Sequence, residues 1–106
     1  MSVIALSEEL SLDPKEINKA AMVFRAINHP LRQQMIRLIH KKEETTVTEL
    51  YQKLKQEQSV ISQHLALLRK HNIVYTRRQG HFVFYSLNYK GLKTINKIIG
   101  NLLNLK

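Results

Sequence analysis

The 106-residue chain contains no cysteine. That single absence excludes disulfides, thiolate metal sites and thiol redox switches, and it fits a reducing compartment. No run approaches the roughly 18 apolar residues that a membrane span needs. The opening MSVIALSEEL has no basic segment, and its apolar run is too short for a secretory signal, so a soluble cytoplasmic protein with no membrane partner is expected. There is no Gly-rich phosphate loop and no cysteine nucleophile. Carboxylates are scarce as well, since Glu57 is the sole acidic side chain after residue 50. Ser59 or Ser62 with His64 on one helix is not a Ser–His dyad pattern. Together these absences argue against an enzyme, and no catalytic residue is assigned.

What is present is lopsided charge. Residues 1–50 hold seven Lys/Arg and seven Asp/Glu, whereas residues 51–106 hold ten Lys/Arg and one acid, so the whole net charge of +9 lies in the second half. An asymmetry of this kind points to a polyanion, most often nucleic acid or an anionic membrane face. A length of 106 residues at 43% hydrophobic suits one domain with a modest core, taken here as residues 1–106.

Periodicity gives the order of elements. In SLDPKEINKAAMVFRAI, Asp13 suits an N-cap, Pro14 the first helical position and Glu16 a capping-box spacing, ahead of Ile17, Ala20, Ala21, Phe24 and Ile27. Pro30 ends that helix near Asn28 and starts another, with Leu31, Met35, Leu38 and Ile39 inward. EETTV reads as a small strand or a helix lead-in, and Thr46 with Glu49 makes a capping box for a short helix of about residues 47–55. KQEQ is a turn. A helix of about residues 58–71 follows, with Val60, Ile61, Leu65, Leu67 and Leu68 inward and Asn72 as its stop. IVYTRR and HFVFYSL then form a hairpin around Gly80, spanning about residues 73–87. The last helix, about 89–105, has Asn88 as its cap. The fold expected is mainly α with a β-hairpin wing, a winged helix-turn-helix, with dimerisation helices at about 13–28 and 89–105.

That order gives the stretch SVISQHLALLRK a purpose. A helix fits the major groove of B-DNA, and side chains at its start reach base edges. Hydroxyl and amide groups read bases there, whereas a strongly charged start would grip phosphate without reading sequence. Gln58, Ser59, Ser62, Gln63 and His64 are the base-facing candidates. Arg69 and Lys70 on the same helix, and Arg77, Arg78, Gln79 and His81 around the hairpin turn, are the candidates for backbone or wing contacts.

TVTELYQKL, then SVISQHLALLRKHNIV, then RRQGHFVFYSL resembles the ArsR-type (ArsR/SmtB-like) bacterial regulators over roughly residues 20–90, and NHPLRQQMIRLI looks like their second helix. The resemblance implies a homodimeric winged-helix protein that binds double-stranded operator DNA, usually as a repressor, with residues 59–70 as recognition helix and residues 77–81 as wing tip. One departure concerns the turn before that helix, where the family commonly has Gly and an apolar residue. Here it reads Lys55, Gln56, Glu57, and a left-handed Lys55 would cost on the order of 1 kcal/mol, which leaves another turn shape open.

Many members of that family sense metals, yet neither of the two usual sites can be written on this chain. The short helix offers Leu50, Tyr51, Gln52 and Lys53 where a Cys-x-Cys pair would stand, and residues 89–106 contain no His, Asp or Glu. No metal and no cofactor is expected. The broad apolar stripe of the last helix (Leu92, Ile95, Ile99, Leu102), with Ile17, Ala21 and Phe24 of the first, is the expected dimer interface. The expected function is a sequence-specific, metal-independent repressor acting as a homodimer. Two alternatives stay open. One is a winged-helix module that binds an acidic protein partner. The other is a regulator responsive to a small-molecule effector of unknown identity, held between the first and last helices.

Overall fold

The computed structural model describes residues 13–103, with side chains through Lys97. Helix α1 (Pro14–Ile27) begins where the Asp13 carboxylate accepts a hydrogen bond from the Lys15 N–H at 2.9 Å. Helix α2 (Pro30–Lys42) is capped by His29, whose Nδ1 accepts from the N–H groups of Leu31 and Arg32. Both helices open on a proline, whose missing N–H would have no intrahelical partner there. Helix α3 (Val47–Leu54) starts at Thr46, whose hydroxyl accepts from the Glu49 N–H at 3.2 Å. Helix α4 (Gln58–Lys70), strands β1 (Val74–Gln79) and β2 (Phe82–Leu87) and helix α5 (Tyr89–Leu103) complete the described chain.

The strands pair antiparallel, Val74 opposite Leu87 and Gln79 opposite Phe82, around a two-residue loop. Gly80 takes φ 60° at the first loop position, the conformation that favours glycine there. EETTV serves both of the roles its sequence offered. Thr45 bridges Tyr85 through paired backbone hydrogen bonds of 3.0 and 2.8 Å, extending the hairpin sheet, and Thr46 caps α3. Asn88 joins the last helix to the rest. Its Oδ1 accepts from the Gly91 N–H, and its Nδ2 donates to the Asn72 carbonyl just past α4. A Cβ on Gly91 would lie 2.6 Å from that Nδ2, so the cap needs glycine three residues on.

One core lies under all of this. Met35, Ile39, Leu50, Ile61, Leu65, Leu68, Ile73 and Val74 are buried from solvent, with Val23, Ala26 and Leu87 around them. Helix α4 therefore contributes one buried face to the centre and leaves the other outside. Among the described residues no helix is long and apolar enough to cross a membrane.

The turn between α3 and α4 does not avoid the left-handed conformation. Lys55 adopts it, at φ 54° and ψ 47°, with its N–H bonded to the Tyr51 carbonyl. Packing of Leu50 and Ile61 on either side fixes the helix–helix geometry, and the turn accepts the strain. Lys55→Gly should therefore stabilise the protein by about 0.5–1 kcal/mol, read from the urea midpoint at fixed protein concentration.

Candidate nucleic-acid interface

Helix α4 separates its faces cleanly. At about 100° per residue, Gln58, Ser59, Ser62, Gln63, Ala66, Arg69 and Lys70 fall within an arc of about 140°, and every one of them is exposed. Ile61, Leu65 and Leu68 occupy the opposite side and are buried. The arc is uncharged over its first two turns and cationic over its last, where Arg69 and Lys70 complement the helix dipole. The helix start is weakly secured, because Glu57 stands at the N-cap without a side-chain hydrogen bond.

His64 does not share that arc. It lies on the flank, half-buried, with its Nδ1 3.3 Å from an Arg32 Nη1 and its ring 4.9 Å from that of His29. Arginine can only donate, so His64 Nδ1 accepts and its proton sits on Nε2. Arg32 also donates from Nε to the Ala26 carbonyl. The group sequence reading assigned to bases is thus tied to the α1–α2 junction. Burial first, then the neighbouring His29 and Arg32, hold the His64 pKa below its ordinary value of 6.5.

The consequence for stability has a definite sign. Below pH 6.5 the unfolded chain binds a proton at this position that the folded chain resists, so stability falls as pH drops through that value. His64→Gln keeps an acceptor for Arg32 but does not titrate. Between about pH 7 and 5.5 its unfolding free energy should decline less steeply than that of wild type, the other histidines being common to both. Equal slopes would remove His64 from this account.

On the wing, the candidates divide by strand face. The Arg77 guanidinium donates to both oxygens of Glu44, from Nε at 3.0 Å and Nη2 at 3.1 Å, and from Nη1 to Gln79 Oε1 at 2.9 Å. The Arg77 hydrogen bond holds the Glu44 carboxyl below the usual carboxylate range, and the same contact raises the arginine. Arg77 and Gln79 are thus engaged inside the chain. Arg78 and His81 are exposed, and no hydrogen bond or ion pair among the described residues occupies their side chains. Sequence reading missed Glu44 and Arg32. Each acts on a partner more than 30 positions away, beyond any local periodicity.

The expected dimer residues also divide. Ile17 is buried within the chain, and Leu92 and Ile95 pack partly against its core. Ala21 is exposed, and Phe24, at 54%, is exposed along with Met22. The side chains of Ile99 and Leu102 lie outside the described residues. Among the described residues no group of three or more His, Cys, Asp or Glu is placed to hold a metal ion.

Similarity to known proteins agrees with this architecture. The family model described as "Bacterial regulatory protein, arsR family" matches residues 29–76, from the α2 cap to the first wing strand. An uncharacterized HTH-type transcriptional regulator of Methanocaldococcus jannaschii is 32% identical over 88 residues, covering 83% of this chain and 99% of its own. The transcriptional repressor PagR of Bacillus anthracis is 32% identical over 79 residues, 74% of this chain and 79% of PagR. Its crystal structure superposes with a TM-score of 0.70 at 29% identity over 82% of this chain and 99% of that one. HlyU from Vibrio cholerae superposes with a TM-score of 0.68 at 33% identity, over 83% and 95% of the two chains. With its helix-turn-helix, basic hairpin and these relatives, the chain belongs to the arsR family of bacterial regulatory proteins and is a winged helix-turn-helix transcriptional regulator, not an enzyme.

Proposed function

We propose that this protein acts in the cytoplasm as a homodimer that binds operator DNA and represses by occluding a promoter, without a metal cofactor. The exposed arc of α4 carries this reading. It is uncharged and hydrogen-bonding where base edges would be met, and cationic where phosphates would be met. Gln58, Ser59, Ser62 and Gln63 read bases. Lys70, Arg69 and Arg78 hold the backbone, with His81 beside them at the hairpin tip. Exposed Met22 and Phe24 on α1 supply apolar surface for a second copy. A twofold dimer would set two copies of α4 on half-sites about one DNA turn, roughly 34 Å, apart.

Selection of genomic DNA fragments by the purified protein, followed by footprinting, tests this. The expected outcome is a small set of inverted half-sites with that spacing, and operator affinity that is the same with EDTA or with added zinc. Binding of all sequences alike would favour the rival reading, a scaffold that docks an acidic protein.

One observation favours a ligand-responsive variant of the same function. A cavity of about 330 Å³ opens between α1, β1 and α5, with Ala20, Val23 and Ile95 among its apolar walls and Lys19, Lys90 and His71 among its polar ones. It touches the loop that links α4 to β1 through Asn72. A small molecule seated there would bear directly on the end of the reading helix.

A further inference from the structure

The outward face of the wing carries a chain of contacts that base and phosphate readout leave unused. Strand register places Arg77 opposite Phe84 and Gln79 opposite Phe82, so these four side chains share the face turned away from buried Val74 and Leu87. The Phe82 and Phe84 rings are 6.3 Å apart, and the Arg77 guanidinium carbon lies 4.6 Å from the centre of the Phe84 ring. Beyond Arg77 the line continues to Glu44.

The two ends of this line differ. Glu44 stands at a fixed point, between Thr45, which is bridged to Tyr85, and Glu43, held at φ 68° and ψ −47°. For a non-glycine residue that conformation is rare and strained, and it persists only where surrounding contacts impose it. At the other end Phe82 is 64% exposed, the highest value among the exposed large hydrophobic side chains described. It stands next to the Gly80–His81 loop, with cationic Arg78 on the adjoining strand. Water is a poor environment for such a ring at the tip of a basic hairpin. The minor groove offers apolar sugar walls and a width of about 6 Å, and proteins place apolar side chains in it.

We propose that the wing is a braced apolar tip. Phe82 packs into the minor groove of the operator, and Arg77 is a positioning residue that holds it there through Phe84 and Glu44 and does not itself contact phosphate. Every nitrogen of the Arg77 guanidinium already donates within the chain, and one of its faces is covered by Phe84. This inference rests on the DNA-binding reading above.

Glu44 provides the decisive contrast. Electrostatics alone makes removal of an anion beside DNA tighten binding. Positioning makes it weaken binding. The experiment measures affinity and salt dependence at the selected operator for wild type, Glu44→Ala, Arg77→Ala and Phe82→Ala. Glu44 and Phe82 are exposed, so truncating either leaves the core intact. Glu44→Ala should bind about three- to tenfold more weakly and Phe82→Ala about tenfold more weakly. Arg77→Ala should weaken binding without changing the salt slope.

Tighter or unchanged binding by Glu44→Ala overturns the brace. So does a salt slope lowered by about 0.9 in Arg77→Ala, the signature of one lost phosphate contact. Wild-type affinity in Phe82→Ala overturns the apolar tip. If wild-type protein itself selects no DNA, the operator reading falls first and this inference with it.

Discussion

Gln63→Ala should weaken operator binding by about 1–3 kcal/mol and leave the affinity for random duplex unchanged. Gln63 is exposed, in the second turn of α4, and shares the outward arc with Ser59 and Ser62. An amide presents a donor and an acceptor side by side, a match for the paired groups on an adenine edge. Its removal leaves a base edge desolvated and unpaired, and that loss depends on which base is present. Alanine is the strongest helix former, so the helix itself is not weakened. Arg78→Ala supplies the contrast. It should lower affinity for every sequence alike and reduce the salt slope by about 0.9, because it releases one counterion fewer. Fluorescence anisotropy on operator and random duplexes, each at several salt concentrations, separates the two patterns. A matching loss on both duplexes would deny Gln63 a reading role.

The legible parts of this protein were those in which the signal is local. Asp13, Pro30, Thr46 and Asn88 announce helix starts by side-chain chemistry alone, and each stands at one in the structure. Asn72 and Gly80 announce left-handed turns, and both take positive φ. The exposed face of α4 was also visible, since periodicity separates Ile61, Leu65 and Leu68 from Ser59, Ser62 and Gln63. His64 was open to the same test: at about 100° per residue it falls outside the arc of its neighbours. Its attachment to Arg32 was not legible, because it depends on where α2 lies.

Other features required the tertiary fold. Lys55 has a low intrinsic preference for the left-handed region, yet packing of the two helices it joins overrides that preference. Arg77 reads as one more cation on a basic hairpin until the Thr45 bridge brings Glu44 within 3.0 Å of it. Phe24 lies two turns beyond Ile17 on nearly the same helix face, yet the rest of the chain covers Ile17 and leaves Phe24 exposed. In each case the sequence fits two environments equally well, and only the long-range contacts choose between them.

Leu65→Ala should be the most damaging single truncation of α4, at about 2–5 kcal/mol. Helix α4 has little intrinsic support. Its N-cap Glu57 makes no side-chain bond, and Ser and His near its start are indifferent helix formers. A 13-residue helix of this kind is held by tertiary packing more than by propensity. Leu65 is 1% exposed and stands between Ile61 and Leu68, both fully buried. The cavity left by truncation would open at the centre of the core. Against a total stability of about 5–15 kcal/mol, that loss removes a large share of the margin.

Two signs distinguish this damage from the loss of a reading side chain. Operator and random DNA should be affected together, because both depend on the folded population. Stability should also respond to a change that touches neither the core nor a base-reading position. Glu57→Ser supplies the missing cap and, added to Leu65→Ala, should recover about 0.5–2 kcal/mol. Urea unfolding followed by circular dichroism, at fixed protein concentration because any self-association would add to apparent stability, measures both effects. A Leu65→Ala protein as stable as wild type would mean that α4 is held by something other than its buried face.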